Sequence, residues 1–167
     1  MEVYLIKTKR LGLRVLKSED LNYLEKVDKD PEVKEFFPEG TLNRQEIKDY
    51  MHECSINFKE KNLPCLAIFK LKDGDFVGEA YFGELETGEI KVGYLFHKKF
   101  WNKGFASETL KGLLGWAKKN IDSDYIIAYA DKDNHASFHV MEKCGMKPYK
   151  EEFFLGMDCR FYRIKNN

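Results

Sequence analysis

The sequence predicts an α/β fold of the α+β kind, organised on a mixed, mostly antiparallel twisted sheet. Two observations predict it. Three strand-like runs, at 66–71, 76–83 and 89–96, are separated only by the turn signals Asp73-Gly74 and Glu86-Thr87-Gly88, so they pair as consecutive hairpins. A stretch of helical period then intervenes before another apolar run, Tyr125-Ile126-Ile127-Ala128-Tyr129-Ala130. That crossover makes the sheet mixed and excludes a simple doubly wound arrangement.

In chain order, residues 3–16 hold two short alternating runs around Lys7-Thr8-Lys9-Arg10, the second of which (11–16) reads as a first strand. Ser18 is placed to cap a helix whose buried stripe is Leu21, Leu24 and Val27. Asp30-Pro31 interrupts it. Phe36-Phe37-Pro38-Glu39-Gly40 forms an aromatic turn that could wall a cleft or plug the core. Asn43 caps a second helix, with Ile47, Tyr50, Met51, Cys54 and Phe58 at helical spacing. In the 89–96 run, Val92, Tyr94 and Phe96 alternate with Lys91, Gly93 and Leu95. The next helix begins near Gly104, with Asn102 as its cap and Leu110, Leu113, Leu114 and Ala117 as its apolar stripe. Residues 133–146 read as a capped short helix ending at Gly145, and two final strands, 149–155 and 159–164, turn around Gly156.

At 167 residues, 43% hydrophobic and 34% charged, the chain suits one compact soluble domain spanning 1–167. Its 28 basic and 28 acidic residues balance, which speaks against a general nucleic-acid or membrane-surface binder. No apolar run approaches the roughly 20 residues that cross a bilayer. The opening MEVYLIKTKR lacks the core of a signal peptide. Cys54, Cys65, Cys144 and Cys159 are scattered without a C-x-x-C pair, so free thiols in a reducing cytoplasm are expected.

The most informative stretch is the strand at 89–96 feeding a helix that starts on a glycine. Unpaired amides and the positive end of a helix dipole form an anion site there, with Lys98, Lys99 and Lys103 adding charge. The same residues would equally serve a capped surface helix with a solvated basic face. No GxxxxGK[ST] or GxGxxG is present, so ATP and dinucleotide readings lack their usual support.

Trp101-Asn102-Lys103-Gly104-Phe105-Ala106, followed by Ser107-Glu108, resembles the acetyl-CoA pyrophosphate loop of the GNAT superfamily of N-acyltransferases. The Trp version is similar to the branch containing the ribosomal-protein N-terminal acetyltransferases. Gly93-Tyr94-Leu95-Phe96-His97 looks like that branch's fourth strand, and residues 8–24 like its opening. Asn134-His135-Ala136-Ser137, continuing to Val140, Glu142-Lys143 and Gly145, resembles its N-x-x-S-x-x-V-x-E-K-x-G pattern, with Met146 where Phe is usual.

The resemblance implies about seven strands with helices on both faces, and acetyl-CoA wedged between splayed strands four and five. It implies N-acetyl transfer to a primary amine, whether a protein N-terminus, a polyamine or another small amine, by direct attack in a ternary complex. Cofactor-binding positions carry over as Leu95, Phe96, His97, Trp101, Asn102, Lys103, Gly104, Phe105, Ala106, Ser107, Asn134, Ser137 and Lys143. Amides near Leu95 and Phe96 would polarise the carbonyl at a bulge that Gly93 permits. Ser137 is the expected donor to the departing thiolate, because Met141 replaces the tyrosine common four residues further on. Ser137 could instead simply bond back to a helix carbonyl.

The glutamate that often serves as base is replaced by Lys91, and Glu89, acting through water, is its first substitute; His97, Glu79 and Tyr129 are further candidates. Glu32, Glu35, Glu39, Glu84, Glu86 and Glu89 could supply the carboxylates of a polyamine site. His135 and His139 stand at i, i+4 without a third ligand, so no metal is expected. The implied partners are acetyl-CoA and an amine acceptor, with no nucleic acid or membrane and with room for a homodimer. Departures at Lys91 and Met141 leave open an alternative, a catalytically silent acyl-CoA-binding module on the same fold.

Overall fold

The computed structural model describes residues 3–167. Five strands, β1 (Ile6–Lys7), β2 (Leu11–Val15), β3 (Cys65–Lys70), β4 (Phe76–Glu84) and β5 (Ile90–Phe96), follow one another antiparallel across the sheet. β6 (Tyr125–Asp131) lies parallel to β5, then β8 (Met157–Lys165) and β7 (Lys147–Phe154) complete the order β1-β2-β3-β4-β5-β6-β8-β7. The count is eight rather than about seven, because the first short alternating run pairs as β1.

Period-two alternation divides the sheet's side chains between two cores. Under one face lie α3 (Phe105–Asn120) and α4 (His135–Lys143), whose Leu110, Leu113, Ala117, Phe138 and Met141 pack with Leu13, Ile68 and Phe96. The other face carries α1 (Leu21–Asp28) and α2 (Arg44–Lys61); Val27 meets Phe69 and Leu95, and Leu24 meets Ile47. Helices therefore cover both faces, as expected.

Asn43 caps α2 through a reciprocal pair, its side chain accepting from Glu46 N at 2.9 Å while Glu46 accepts from Asn43 N at 2.9 Å. Ser18 does not cap α1. It opens a 3₁₀ turn, Ser18–Asp20, and Asp20 is committed to a buried two-pronged ion pair with Arg14 at 2.7 and 2.8 Å. A buried guanidinium demands a charged partner, and that demand takes precedence over capping.

The free-thiol expectation is corrected at two positions. Cys54 of α2 and Cys65 of β3 form a disulfide, while Cys144 and Cys159 are free. Their pairing depends on where α2 lands against β3, which an eleven-residue spacing does not encode. Among the described residues no helix is long and apolar enough to cross a membrane.

β5 pairs with β4 over its whole length, from Gly78–Phe96 to Glu84–Ile90, without a register shift. The expected bulge in β5 is absent. With β6 the pairing is confined to Ile90–Ile126 and Lys91–Ile127, after which the two strands part. This V-shaped gap, rather than a bulge, frees the backbone of β5.

Gly78 guards that geometry, since a Cβ there would overlap the Leu95 carbonyl oxygen and come within 2.9 Å of Phe96 Cα, both backbone atoms that cannot swing aside. Gly78→Ala should therefore cost about 1–3 kcal/mol, the usual penalty of overpacking. A thermal melt checks it; an unchanged midpoint would show that the two strands can separate freely.

Candidate active site

The β5 edge of the gap can be read from one hydrogen bond. His97 N–H donates to Val77 O at 2.8 Å, so His97 points its amide at β4. Antiparallel ladders alternate, hence the Leu95 amide also faces β4 while those of Tyr94 and Phe96 face the gap. Of the two amides expected to act as donors, that of Phe96 faces the gap and that of Leu95 is taken up in the ladder, as is the His97 amide. The His97 ring instead accepts from Lys99 N at 3.3 Å, closing the 3₁₀ turn Lys98–Phe100. Burial, with Lys26 and Lys99 nearby, holds that imidazole below its ordinary pKa.

At the mouth of the gap stands the loop into α3. Trp101 Nε1 donates to Phe96 O at 2.9 Å, tying the loop to the strand end. Asn102 is not the cap: it adopts a left-handed backbone (φ 61°), and Gly104 (φ 81°) is the residue that turns into α3. The first bond to the cap is Glu108 N–H to Gly104 O at 3.2 Å, so the amides of Phe105, Ala106 and Ser107 precede the ladder. Lys103 is exposed beside them, whereas Lys98 is engaged by Glu32 at 2.6 Å.

Sequence reasoning missed what fixes this loop. Glu108 receives Arg10 N at 2.8 Å, Arg10 Nε at 2.7 Å and the Thr8 hydroxyl, and Arg10 also donates to Lys103 O at 3.0 Å. The guanidinium lies 4.3 Å from the Phe105 ring centroid. The β1–β2 turn is thereby clamped onto the start of α3. The contacts span about 100 residues, so no local pattern announces them.

α4 borders the gap on the same face. Asn134 caps it, accepting from Ser137 N at 3.3 Å. Lys143 lies in its last turn, beside Cys144, whose thiol donates to Ser107 O at 3.5 Å; this end of α4 thus abuts the first turn of α3. Met141 is buried at 2% exposure and takes no chemical part. Tyr94, which alternation points to this face, has a buried hydroxyl without a hydrogen bond of its own. Burial pushes it up to about 12, with Ser137 the polar neighbour that opposes the shift.

On the opposite face, a cavity of about 190 Å³ opens between α1, α2 and the sheet. Its lining includes Asp28, Lys34, Glu79, Tyr81, Lys91 and the disulfide. Phe37, from the aromatic turn, both packs on the core and walls this cavity. Glu79 is 3% exposed and its Oε2 has no hydrogen bond. Its carboxyl faces that of Asp28, and burial, then the Asp28 charge, push it well above the ordinary range. Asp28 is raised too, by burial, against the pull of Lys34 at 3.5 Å. Two facing buried carboxyls hold a proton between them more tightly than either alone would.

Glu89, the first candidate for a base, is not part of this cavity. It precedes the closed end of the V, where it accepts from Tyr149 (2.7 Å) and Thr87 (2.8 Å), contacts that outweigh burial and lower its pKa. A carboxylate so satisfied is a weak proton acceptor. Glu79, named from sequence only as an alternative, is a buried carboxyl that lines the cavity. His135 and His139 are both exposed on α4, and among the described residues no cluster of three metal-ligating side chains occurs.

Residues 10–147 match the acetyltransferase (GNAT) domain family. An uncharacterized N-acetyltransferase of Bacillus subtilis (strain 168), YnaD, is 32% identical over 149 residues, covering 89% of this chain and 85% of the relative. Among solved structures, the RimL ribosomal L7/L12 α-N-protein acetyltransferase in complex with coenzyme A aligns with a TM-score of 0.81 at 18% identity, covering 95% of each chain. Spermidine N-acetyltransferase from Vibrio cholerae, in complex with CoA and spermine, aligns at 0.80 with 16% identity over 93% of this chain and 95% of its own. At these identities the two structures speak for the fold.

The Glu108 clamp has a defined pH signature. Burial raises its carboxyl pKa, but donation from Thr8 and Arg10 prevails and lowers it. A lowered folded pKa stabilises above the unfolded value, about 4.3, and that stability fades as pH falls through the folded value. Glu108→Gln should thus melt earlier than the parent at pH 7, with the two midpoints converging below about pH 4. A constant difference across that range would exclude the clamp.

Proposed function

Because this chain belongs to the GNAT acetyltransferase family, we propose that it acts as one domain transferring the acetyl group of acetyl-CoA to a primary amine, by direct attack in a ternary complex. The observation that carries this reading is that β5 borders a gap and a cavity at once. Its Tyr94 and Phe96 amides face the gap, while Lys91 and Leu95 line the Glu79 cavity on the opposite face. A thioester in the gap and an amine in the cavity would meet at the strand between them.

In this reading the amides of Phe105, Ala106 and Ser107 hold the pyrophosphate, with Gly104 letting it approach the backbone. Asn102 and Trp101 shape the loop, and Lys103 and Lys143 add positive charge. The Tyr94 and Phe96 amides polarise the thioester carbonyl. Glu79 takes a proton from the acceptor ammonium. Its raised pKa narrows the gap to that of an amine, which is what a base working near neutral pH requires. The freed nitrogen attacks the carbonyl carbon, the N–C bond forms, the now cationic nitrogen gives its extra proton to solvent, and the C–S bond breaks on collapse of the tetrahedral intermediate.

Ser137 and Tyr94 stabilise the departing thiolate by hydrogen bonding. Outright proton transfer from a tyrosine near 12 to a thiolate near ~8.5 is uphill, so the thiolate leaves hydrogen-bonded and takes its proton from solvent. This assignment keeps Ser137 and adds the Tyr94 hydroxyl, on which Ser137 acts as a polar neighbour.

Release of CoA thiol in the presence of amines tests the reading directly; acetyl-CoA binding without release under any acceptor would leave a silent binding module. Glu79→Gln should lower kcat/KM by about 10²–10⁴-fold. In the parent, kcat/KM should rise with pH through a value above the ordinary glutamate range, and the variant should lose that limb. Ser137→Ala should slow turnover more than it weakens acetyl-CoA binding, and equal kinetics would remove Ser137 from the mechanism.

A further inference from the structure

The cavity that holds Glu79 also holds a cation. Lys91 lines it, and among the described residues no carboxylate lies within 4 Å of its ammonium. Its neighbours are neutral: the Tyr129 hydroxyl at 3.3 Å, and the Tyr81 and Tyr129 rings with centroids at 5.5 and 5.7 Å. Glu39, the acidic residue whose field reaches it, is held by Lys34 at 3.1 Å. Two glycines create the setting. A Cβ at Gly83 would come within 2.9 Å of the Lys91 stem, and one at Gly93 would overlap the Tyr81 ring. Burying a cation without a counter-charge is costly, and the cost is offset when a bound anion supplies one.

Glu79 and Lys91 stand on adjacent strands. Glu79 is opposite Leu95 and Gly83 is opposite Lys91, a separation of four residues or about 13 Å between backbones. The lysine side chain leans over Tyr81 and shortens that span. The cavity, about 190 Å³, is worth roughly six waters at ~30 Å³ each, enough for a compact molecule.

Resting on the acetyl-transfer reading above, we infer that the acceptor is a small amino carboxylate, its ammonium directed to the Glu79–Asp28 pair and its carboxylate to Lys91 and the Tyr129 hydroxyl. One pole explains the buried carboxyls and the other explains the uncompensated lysine. A diamine would satisfy the first and be repelled by the second.

The test measures CoA-thiol release at saturating acetyl-CoA with three sets of acceptors: α- and ω-amino acids, their carboxamides, and aliphatic diamines. Amino acids should exceed their own carboxamides at least tenfold in kcat/KM. Lys91→Met should bring that ratio close to one, and Lys91→Arg, which keeps the charge, should retain it. A ratio near one in the parent, a ratio unchanged in Lys91→Met, or diamines as the best acceptors would overturn the amino-carboxylate assignment while leaving acetyl transfer intact. Release with none of the three sets would overturn the amino-carboxylate assignment, and silence with peptide N-termini as well would overturn acetyl transfer itself.

Discussion

The early end of the β5–β6 ladder shapes the rest of the site. After Lys91–Ile127 the two strands part, although β5 stays fully paired with β4. A parallel pair that separates leaves main-chain donors facing a gap instead of a neighbour, and unpaired donors in a covered position call for a ligand. The gap remains open because both its walls are held elsewhere. β5 is locked into β4 with Gly78 giving room for the close approach, and β6 is locked into β8 over seven residue pairs. α3 and α4 then bring their N-terminal regions to the open side, where Arg10 and Glu108 fix the loop against the β1–β2 turn.

Charge is distributed to match. The gap face offers amides, hydroxyls and exposed lysines, which suit an anionic, phosphate-bearing molecule. Across the sheet, the cavity concentrates buried carboxyls around Lys34, with Lys91 set apart among tyrosines. A buried carboxyl without its full complement of hydrogen bonds costs stability. Glu79 therefore suits a role outside the unliganded fold, whereas the Arg14–Asp20 pair, closed on itself by two bonds, suits a structural one.

Much of this could be read in the sequence because it is local. Asp73-Gly74 and Glu86-Thr87-Gly88 fixed the hairpins, Asn43 fixed a helix start, and the glycine before Phe105 fixed the turn into α3. Each rests on backbone geometry or capping within a few residues. The departures have longer reach. Asn102 lost the cap to Gly104, two residues on, Ser18 was displaced by the claim of Arg14 on Asp20, and Cys54 met Cys65 only through the packing of α2 on β3.

What the sequence determined by itself was the order and type of the elements, the placement of a glycine-led helix after β5, and the family pattern over most of the chain. What only the tertiary structure decided was which groups converge. Glu79 and Glu89 look alike in sequence, each a glutamate in or beside a strand, yet one is buried with an oxygen left without a hydrogen bond while the other is satisfied by Tyr149 and Thr87. Basicity depends on burial and on neighbouring charge, and both are set by elements brought together from distant parts of the chain.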